Sequence, residues 1–287
     1  MSFESLFQSI TSHAYLWGGI ATALTVAVVA LSLKIRSLKT ERINVTTCGY
    51  VAPTPSLKHT NQVKKFLNFL LWIQVGKVKV TGKEHVDAVS GPKILIANHP
   101  HWADIGVMPH LVDGTGRYMA HGRVMSACWG MLGVWLSKAG VFVANDSIRD
   151  GGARTREASI QFLVRGETLT ILPEGLTNFS PSVEEFRTGT VKIAREAARR
   201  LGKPVAFVPS YIRYGKYPGG WLAKLDRAIQ FFTVFALFPL YRRHASLTVG
   251  KAITTDDLVD ENGAPLSDEA ASEFLRQKVI ALDPGTV

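Results

Sequence analysis

The sequence predicts an α/β protein with a mostly parallel central sheet flanked by helices, together with an N-terminal transmembrane helix and interfacial helices. Two observations lead to this fold class: short apolar runs alternate with helical patterns after residue 77, and a long charge-free apolar stretch stands near the start of the chain. With 287 residues, 46% of them apolar, the chain can bury one substantial core, and no Gly/Ser/Pro-rich linker divides it. We therefore expect a membrane anchor and juxtamembrane segment at 1–45, followed by one domain at 46–287.

The anchor is predicted from the apolar stretch at 15–33, which carries no charge and approaches the roughly 20 residues needed to cross a bilayer. Before it, only Glu4 is charged, so we do not expect a cleaved signal peptide, which would begin with a basic region. Lys34, Arg36, Lys39 and Arg42 follow the stretch. By the positive-inside rule, the remaining chain then faces the cytoplasm. A buried core helix is the alternative interpretation.

Two further apolar segments, 66–75 and 221–241, are expected at the membrane surface. The first is too short to span a bilayer and follows several lysines, which is typical of an interfacial helix, although the first helix of the domain core fits equally well. The second has charged residues in its first turns and Pro239 near its end. It therefore resembles a membrane-dipping helix more than a second span.

Within the domain, the alternation of patterns predicts a series of strands and helices. Strands are predicted at 78–81, 93–97, 117–120, 140–144, 168–172, 205–208 and 246–249. Helices are predicted at 104–111, 124–138, 153–165, 188–201 and 267–282. Because strands that alternate with helices form parallel crossover units, the carboxyl ends of these strands are where ligand-handling residues should gather.

The formal net charge of +10 suits a polyanionic partner: a nucleic acid, an anionic bilayer surface or a phosphorylated substrate. The sequence contains no helix-turn-helix, zinc or aromatic-basic pattern, and a membrane anchor is predicted, so we expect no nucleic acid as a partner. The two cysteines, Cys48 and Cys128, form no C-x-x-C pair, which is typical of a reduced compartment.

A candidate catalytic pair follows the strand predicted at 93–97. His99 lies in the loop after that strand, and Asp104 opens the next predicted helix, so the two side chains can fold back onto each other. A carboxylate that binds one imidazole nitrogen holds the ring in one tautomer and leaves the other nitrogen able to take a proton from a hydroxyl group. Asp104 also suits a helix N-cap. A metal site built from His99, His101 and Asp104 lacks further ligands, so no metal is expected.

A second candidate constellation follows the strand predicted at 168–172. Pro173 and Gly175 flank Glu174, which predicts a tight turn that aims this acid and the nearby backbone N–H groups toward the cleft. Glu174 would hold a substrate hydroxyl or a cationic group there. A surface turn with a solvated acid is the alternative.

These motifs together resemble those of the glycerophosphate and lysophosphatidate acyltransferase superfamily. Asn98-His99 with Asp104 resembles the NHX4D signature, and Pro173-Glu174-Gly175 resembles the core of the FPEGTRS block. Between them, the segment 140–143 is similar to the G-x-x-F block, and Val208-Pro209 is similar to the V-P pair of the fourth block. The resemblance covers roughly 78–213.

The resemblance implies that His99 is the general base and that Asp104 orients it and compensates its charge. The acceptor hydroxyl would then attack an acyl thioester directly, with Asn98, Glu174 and Gly175 on the substrate-binding side. The donor would be acyl-CoA or an acyl-carrier protein, and no cofactor or metal would be needed. The expected partners are the lipid bilayer, a lysolipid acceptor and the thioester donor.

Two arginines that usually grip phosphate in this family are replaced by Asp146 and Thr177 in this chain. Arg149, Arg187 and Arg213 are the candidates to take their place, since a guanidinium group matches a phosphate in a bidentate manner. The acceptor is accordingly expected to be lysophosphatidate or another lysophospholipid. A catalytically silent lipid-binding or scaffold protein of the same fold is the alternative.

Overall fold

The computed structural model of the chain describes residues 22, 25–26, 28–34, 38–127, 130–144, 150–215, 224 and 244–285, except for the side chains of 73 and 74. The predicted membrane helix at 15–33 and the predicted surface segment at 221–241 therefore lie largely outside the described residues. The described residues from 22 to 34 are helical. Within the described ranges, no helix combines the length and the apolar character needed to cross a membrane.

A mostly parallel sheet forms the centre of the domain, as predicted. Its strands are β1 (Val78–Thr81), β2 (Lys93–Ala97), β3 (Arg117–His121), β4 (Val141–Ala144), β5 (Thr168–Ile171), β6 (Ala206–Tyr214), β7 (Ala245–Val249) and β8 (Ile253–Thr254). They are ordered β1-β7-β6-β2-β5-β3-β4, with β8 also paired to β6. The pairs β6–β7 and β6–β8 are antiparallel, and the other pairs are parallel. Strand β2, which precedes the candidate catalytic loop, thus lies in the middle of the sheet.

Helices cover both faces of this sheet. They are α1 (Lys39–Thr46), α2 (Leu57–Gln74), α3 (Glu84–Asp87), α4 (Asp104–Val107), α5 (Gly122–Ser126), α6 (Met131–Ser137), α7 (Gly151–Val164), α8 (Gly189–Leu201) and α9 (Asp268–Ile280), with short 3-10 turns at Met108–Leu111 and Thr255–Asp257. The segment expected at the membrane surface, 66–75, is the second half of α2.

The helix predicted at 124–138 is instead two short helices, α5 and α6. Gly130, which precedes α6, has a φ of 80°, in the left-handed region that a continuous helix does not contain. Gly133 lies so close to the end of α5 that a β-carbon there would be 2.2 Å from the Met125 carbonyl oxygen. The apolar periodicity that suggested one helix therefore comes from two helices packed backbone to backbone.

The alternation of side chains in β2 shows how the core is divided between the two faces of the sheet. Ile94 and Ile96 belong to the core that includes residues of α7, α8 and α9. Leu95 and Ala97 point the other way, into the core that includes residues of α2, α3 and α4. All four are fully buried, so β2 is enclosed on both faces, as expected of a central parallel strand.

A buried arginine connects the N-terminal segment to the sheet. Arg117, at the start of β3, is fully buried and forms an ion pair with Glu167 at 2.5 Å. Its guanidinium group also donates to the carbonyl oxygens of Ala52 and Pro53, at 3.1 and 2.7 Å, and lies 4.0 Å from the centre of the Phe162 ring. These contacts fix the segment before α2 against the edge of the domain.

Candidate active site

The site lies at the carboxyl ends of three neighbouring strands, β5, β2 and β6, which bring together the predicted His99 and Glu174 and the unpredicted Tyr214. His99 follows β2 by two residues, Glu174 follows β5 by three, and Tyr214 is the last residue of β6. Because β2 is parallel to both of its neighbours, these three ends lie at the same edge of the sheet. Ligands in α/β sheets bind at this edge, where loops can vary without disturbing the core.

His99 and Asp104 are in direct contact, as their spacing predicted. His99 Nδ1 lies 2.8 Å from Asp104 Oδ2. The Asp104 side chain is fully buried, whereas 21% of the His99 side chain is exposed. An ionised carboxylate only accepts hydrogen bonds, so this contact places the ring proton on Nδ1 and leaves Nε2 as the nitrogen that can take up a proton.

Two more donors hold the Asp104 carboxylate. The hydroxyl of Tyr214 donates to Oδ1 at 2.5 Å, and the backbone N–H of His101 donates to Oδ2 at 3.0 Å. With His99, these groups give the buried carboxylate three hydrogen bonds. This many donors compensate the desolvation of a buried anion and fix its orientation.

His101 lies beside the His99–Asp104 pair, but its Nδ1 is not available as a second base. Its Nδ1 accepts the backbone N–H of Ala103 at 3.0 Å. The ring packs between Phe179 and Tyr214, with centroid distances of 5.9 and 5.2 Å. Burial lowers the pKa of His101 to about 4, so the ring is neutral. No group of three or more potential ligands able to hold a metal ion occurs in the part of the chain that the structure describes.

Glu174 contacts the backbone of the catalytic loop. Its Oε1 accepts the N–H of His99 at 2.9 Å, and its Oε2 accepts the side-chain amide of Asn178 at 3.1 Å. Burial raises the pKa of Glu174 to about 8, and the charge of Asp104 acts in the same direction, whereas the N–H of His99 opposes it. Both carboxylate oxygens of Glu174 therefore accept hydrogen bonds from protein groups, and these bonds support the His99 loop.

Asn178, which the sequence did not single out, ties the two site loops together. Its backbone N–H donates to the His99 carbonyl oxygen at 3.2 Å, and its side-chain amide also donates to the Ser182 carbonyl oxygen at 2.7 Å. Close by, the indole N–H of Trp102 donates to the hydroxyl of Thr177 at 3.1 Å. These hydrogen bonds connect the 98–104 loop with the 173–182 loop.

Asn98 is fully buried and continues the pairing of β2 with β6. Its side-chain amide donates to the Ile212 carbonyl oxygen at 2.9 Å and accepts the Ile212 N–H at 2.7 Å. Backbone pairing between these strands ends at Ala97 and Ser210, so the Asn98 side chain supplies the next pair of ladder bonds. This contact anchors the start of the catalytic loop.

The comparison with protein families supplies the activity class. Residues 77–213 match the family model described as Acyltransferase. Residues 77–213 therefore form an acyltransferase domain. The matched range contains His99, Asp104, Glu174 and Asn178, and Tyr214 directly follows its last residue.

Comparisons with individual proteins add little beyond the family. No curated protein matches the chain. Among solved structures, the chain is similar to the crystal structure of the 1-acyl-sn-glycerophosphate (LPA) acyltransferase PlsC from Thermotoga maritima. The two share 19% sequence identity over 78% of this chain and 80% of that chain, with a TM-score of 0.48.

The three arginines expected to bind phosphate in this acyltransferase have different positions. Arg187 is exposed and lies against the turn at Gly175: a β-carbon on that glycine would be 2.9 Å from the guanidinium carbon. Gly175 has a φ of 75°, so a glycine both permits this turn and leaves room for the arginine. Arg213 pairs with Asp283 at 2.6 Å. Arg149 lies outside the described residues.

Tyr214 and Asn178 are the site residues that sequence reasoning missed. Asn178 lies four residues beyond Glu174, and the clustering of Asn178 with Ser180 and Ser182 after the turn was a usable signal for a hydrogen-bonded loop. Tyr214 had no local signal. It reaches Asp104, 110 residues earlier in the chain, through the pairing of β6 with β2.

Proposed function

We propose that this acyltransferase moves a fatty acyl group from a thioester donor to the hydroxyl of a glycerolipid at the membrane, with His99 as the general base. The observation that carries the proposal is the 2.8 Å contact between His99 and a fully buried Asp104, at the strand ends of an acyltransferase domain. The His99 ring is partly exposed, so a substrate hydroxyl can reach it. Acyl-CoA or an acyl-carrier protein would be the donor, with no metal or cofactor.

The proposed reaction needs only one protein group to move a proton. Nε2 of His99 takes the proton of the acceptor hydroxyl as its oxygen attacks the thioester carbonyl carbon. Asp104 stabilises the imidazolium that forms, as the carboxylate does in a Ser-His-Asp triad. The C–S bond of the tetrahedral intermediate then breaks, and the imidazolium returns its proton to the departing sulfur. The products are the acylated lipid and the free thiol.

The exposed face of α2 supports an acceptor that comes from the bilayer. Phe66, Phe69 and Trp72 are 46, 58 and 55% exposed, and Lys58 and Lys65 are exposed on the same helix. Large apolar side chains next to basic ones are typical of helices that lie in the membrane interface. With the net charge of +10, this face suits an anionic bilayer. We propose that the segment 1–45 anchors the domain there, on the cytoplasmic side.

Arg187 is the described arginine best placed to meet a phosphate at the site. Its guanidinium group lies on Gly175, next to Glu174. A phosphate of the acceptor or of the donor is the group that a guanidinium at this position would bind. We propose a lysophospholipid acceptor on this basis, with lysophosphatidate as one member of the class.

The test is transfer of labelled palmitate by the full chain in anionic liposomes. Donors are palmitoyl-CoA and palmitoyl-acyl-carrier protein, and acceptors are lysophosphatidate, lysophosphatidylglycerol, other lysolipids and none. His99→Ala should abolish the product while membrane binding and folding persist. His110→Ala is the matched control, because it also removes an imidazole. Nδ1 of that ring lies 3.1 Å from the backbone carbonyl oxygens of Gly106 and Val107 rather than beside a carboxylate.

The outcomes separate the possible errors. Product that requires His99 and appears only with certain lysolipids identifies the acceptor. Turnover that survives in His99→Ala excludes this residue as the base. The absence of product with both donors and every acceptor would instead support a silent lipid-binding or scaffold protein.

A further inference from the structure

A tyrosine hydroxyl completes the hydrogen bonding of the buried carboxylate. Tyr214 is 6% exposed, and its hydroxyl lies 2.5 Å from Asp104 Oδ1. The other oxygen, Oδ2, already accepts from His99 Nδ1 and from the His101 N–H. Each carboxylate oxygen therefore has at least one donor, and Tyr214 is the donor to Oδ1.

We infer that Tyr214 is a positioning residue for acyl transfer, which holds the Asp104 carboxylate in the orientation that keeps His99 ready to accept a proton. This inference rests on the proposed function. Without the Tyr214 hydroxyl, the buried Oδ1 would lose its donor and the carboxylate could rotate about its Cβ–Cγ bond. Rotation would lengthen the bond from Oδ2 to His99 and release the imidazole from its tautomer.

Aromatic rings and the protein core enclose the Tyr214 side chain. The ring packs against His101, which is itself enclosed by Phe179, and it belongs to the same core as Ile212. A phenol in such a site keeps its proton at neutral pH and donates a hydrogen bond to the nearest carboxylate. In the described part of the chain, the titratable groups that face Asp104 are His99 and His101 from its own loop, Glu174 from the loop after β5, and Tyr214 from β6.

The same strand provides a matched control. Tyr211 is also buried in β6, but it lies in the core on the opposite face of the sheet. Its hydroxyl donates to the Pro181 carbonyl oxygen at 2.8 Å and contacts a carboxylate oxygen of Asp283 at 3.1 Å. Replacing either tyrosine by phenylalanine thus removes one buried hydroxyl that contacts a carboxylate, and only one of these carboxylates contacts His99.

The experiment compares Tyr214→Phe with Tyr211→Phe in the liposome assay. We expect kcat to fall about 10- to 100-fold in Tyr214→Phe, the range expected for a misplaced catalytic group, with KM for both substrates within about twofold. The acid limb of the pH–rate profile should move to lower pH, because a carboxylate that has rotated away from His99 stabilises the imidazolium less. Tyr211→Phe should lower kcat by no more than about twofold and leave the profile in place, because the carboxylate at its hydroxyl is Asp283 and not the partner of His99.

A second measurement does not depend on turnover. The proton between His99 Nδ1 and Asp104 should give a downfield NMR signal in protein labelled with ¹⁵N-histidine, and Tyr214→Phe should shift or broaden it. Wild-type kcat in Tyr214→Phe, or equal losses in both variants that follow their melting temperatures, would overturn the inference. If His99→Ala remains active, the proposed function fails. If His99→Ala is inactive and Tyr214→Phe behaves as wild type, only this inference fails.

Discussion

Replacement of Asn98 by alanine tests whether this residue supports the site or binds substrate. The resemblance to the family placed Asn98 on the substrate-binding side, but its side chain is fully buried and pairs with both backbone groups of Ile212. If Asn98 is a brace between β2 and β6, its loss should reduce the stability of the whole domain. If it binds substrate, its loss should mainly affect KM.

The size of the effect follows from these two hydrogen bonds. Each contributes about 0.5–1.5 kcal/mol, and each backbone group of Ile212 left buried without a partner costs about 1–3 kcal/mol. The two ranges partly count the same loss, so they are not added in full. We expect Asn98→Ala to lower the free energy of unfolding by about 2–5 kcal/mol. For a domain of this size, the melting temperature should fall by about 5–15 °C.

Thermal unfolding of the full chain in detergent, followed by the liposome assay, gives both quantities. Asn262→Ala is the matched control, since Asn262 lies in an exposed turn, and the same substitution there should change stability by less than about 0.5 kcal/mol. A normal melting temperature together with a raised KM would refute the brace and return Asn98 to the substrate.

Two other carboxylates, those of Glu174 and Glu167, give predictions about the free energy of unfolding. Folded Glu174 has a pKa of about 8, so between about pH 4.5 and 8 it keeps a proton that the unfolded chain loses. The free energy of unfolding should therefore fall by up to about 1.4 kcal/mol per pH unit as the pH rises through this window. Glu174→Gln should flatten this slope in melting curves at pH 5 and 8, and equal slopes would contradict it. Glu167→Gln leaves Arg117 buried without its ion pair, which should cost about 3–5 kcal/mol in the same melting assay, whereas Glu273→Gln, at an exposed ion pair, should cost less than about 1 kcal/mol.

Most of the sheet could be predicted because its strands carry strong local signals. β1 and β2 begin and end at the predicted residues, Val78–Thr81 and Lys93–Ala97. Both are short runs with β-branched residues, and β2 is bounded by Pro92 before it and by the polar pair Asn98-His99 after it. α7, α8 and α9 also lie within two residues of their predicted bounds, since each has an apolar face of helical period.

β6 was predicted too short because of a proline. The prediction ended the strand at residue 208, whereas it continues to Tyr214. Proline usually interrupts a central strand because it has no N–H to donate. Here Pro209 lies between the residues that pair with β8, at 206–207, and those that pair with β7, at 210–214. The missing donor therefore falls where β6 changes its partner, and the Pro209 carbonyl oxygen accepts the N–H of Gly250 at 2.8 Å.

The missed end of β6 explains which part of the site was visible in the sequence. His99 and Asp104 are five residues apart, so their contact could be inferred from one loop. Ile212 and Tyr214 reach the same loop only because β6 runs on beside β2, and nothing in their own neighbourhood indicates this. Ile212 and Tyr214 contact the two ends of the 98–104 loop: Ile212 binds Asn98, and Tyr214 binds Asp104. A change that shifts the register of β6 should therefore disturb both ends of the loop together, and Asn98→Ala should lower kcat as well as stability, because the released loop carries Asp104 away from Tyr214.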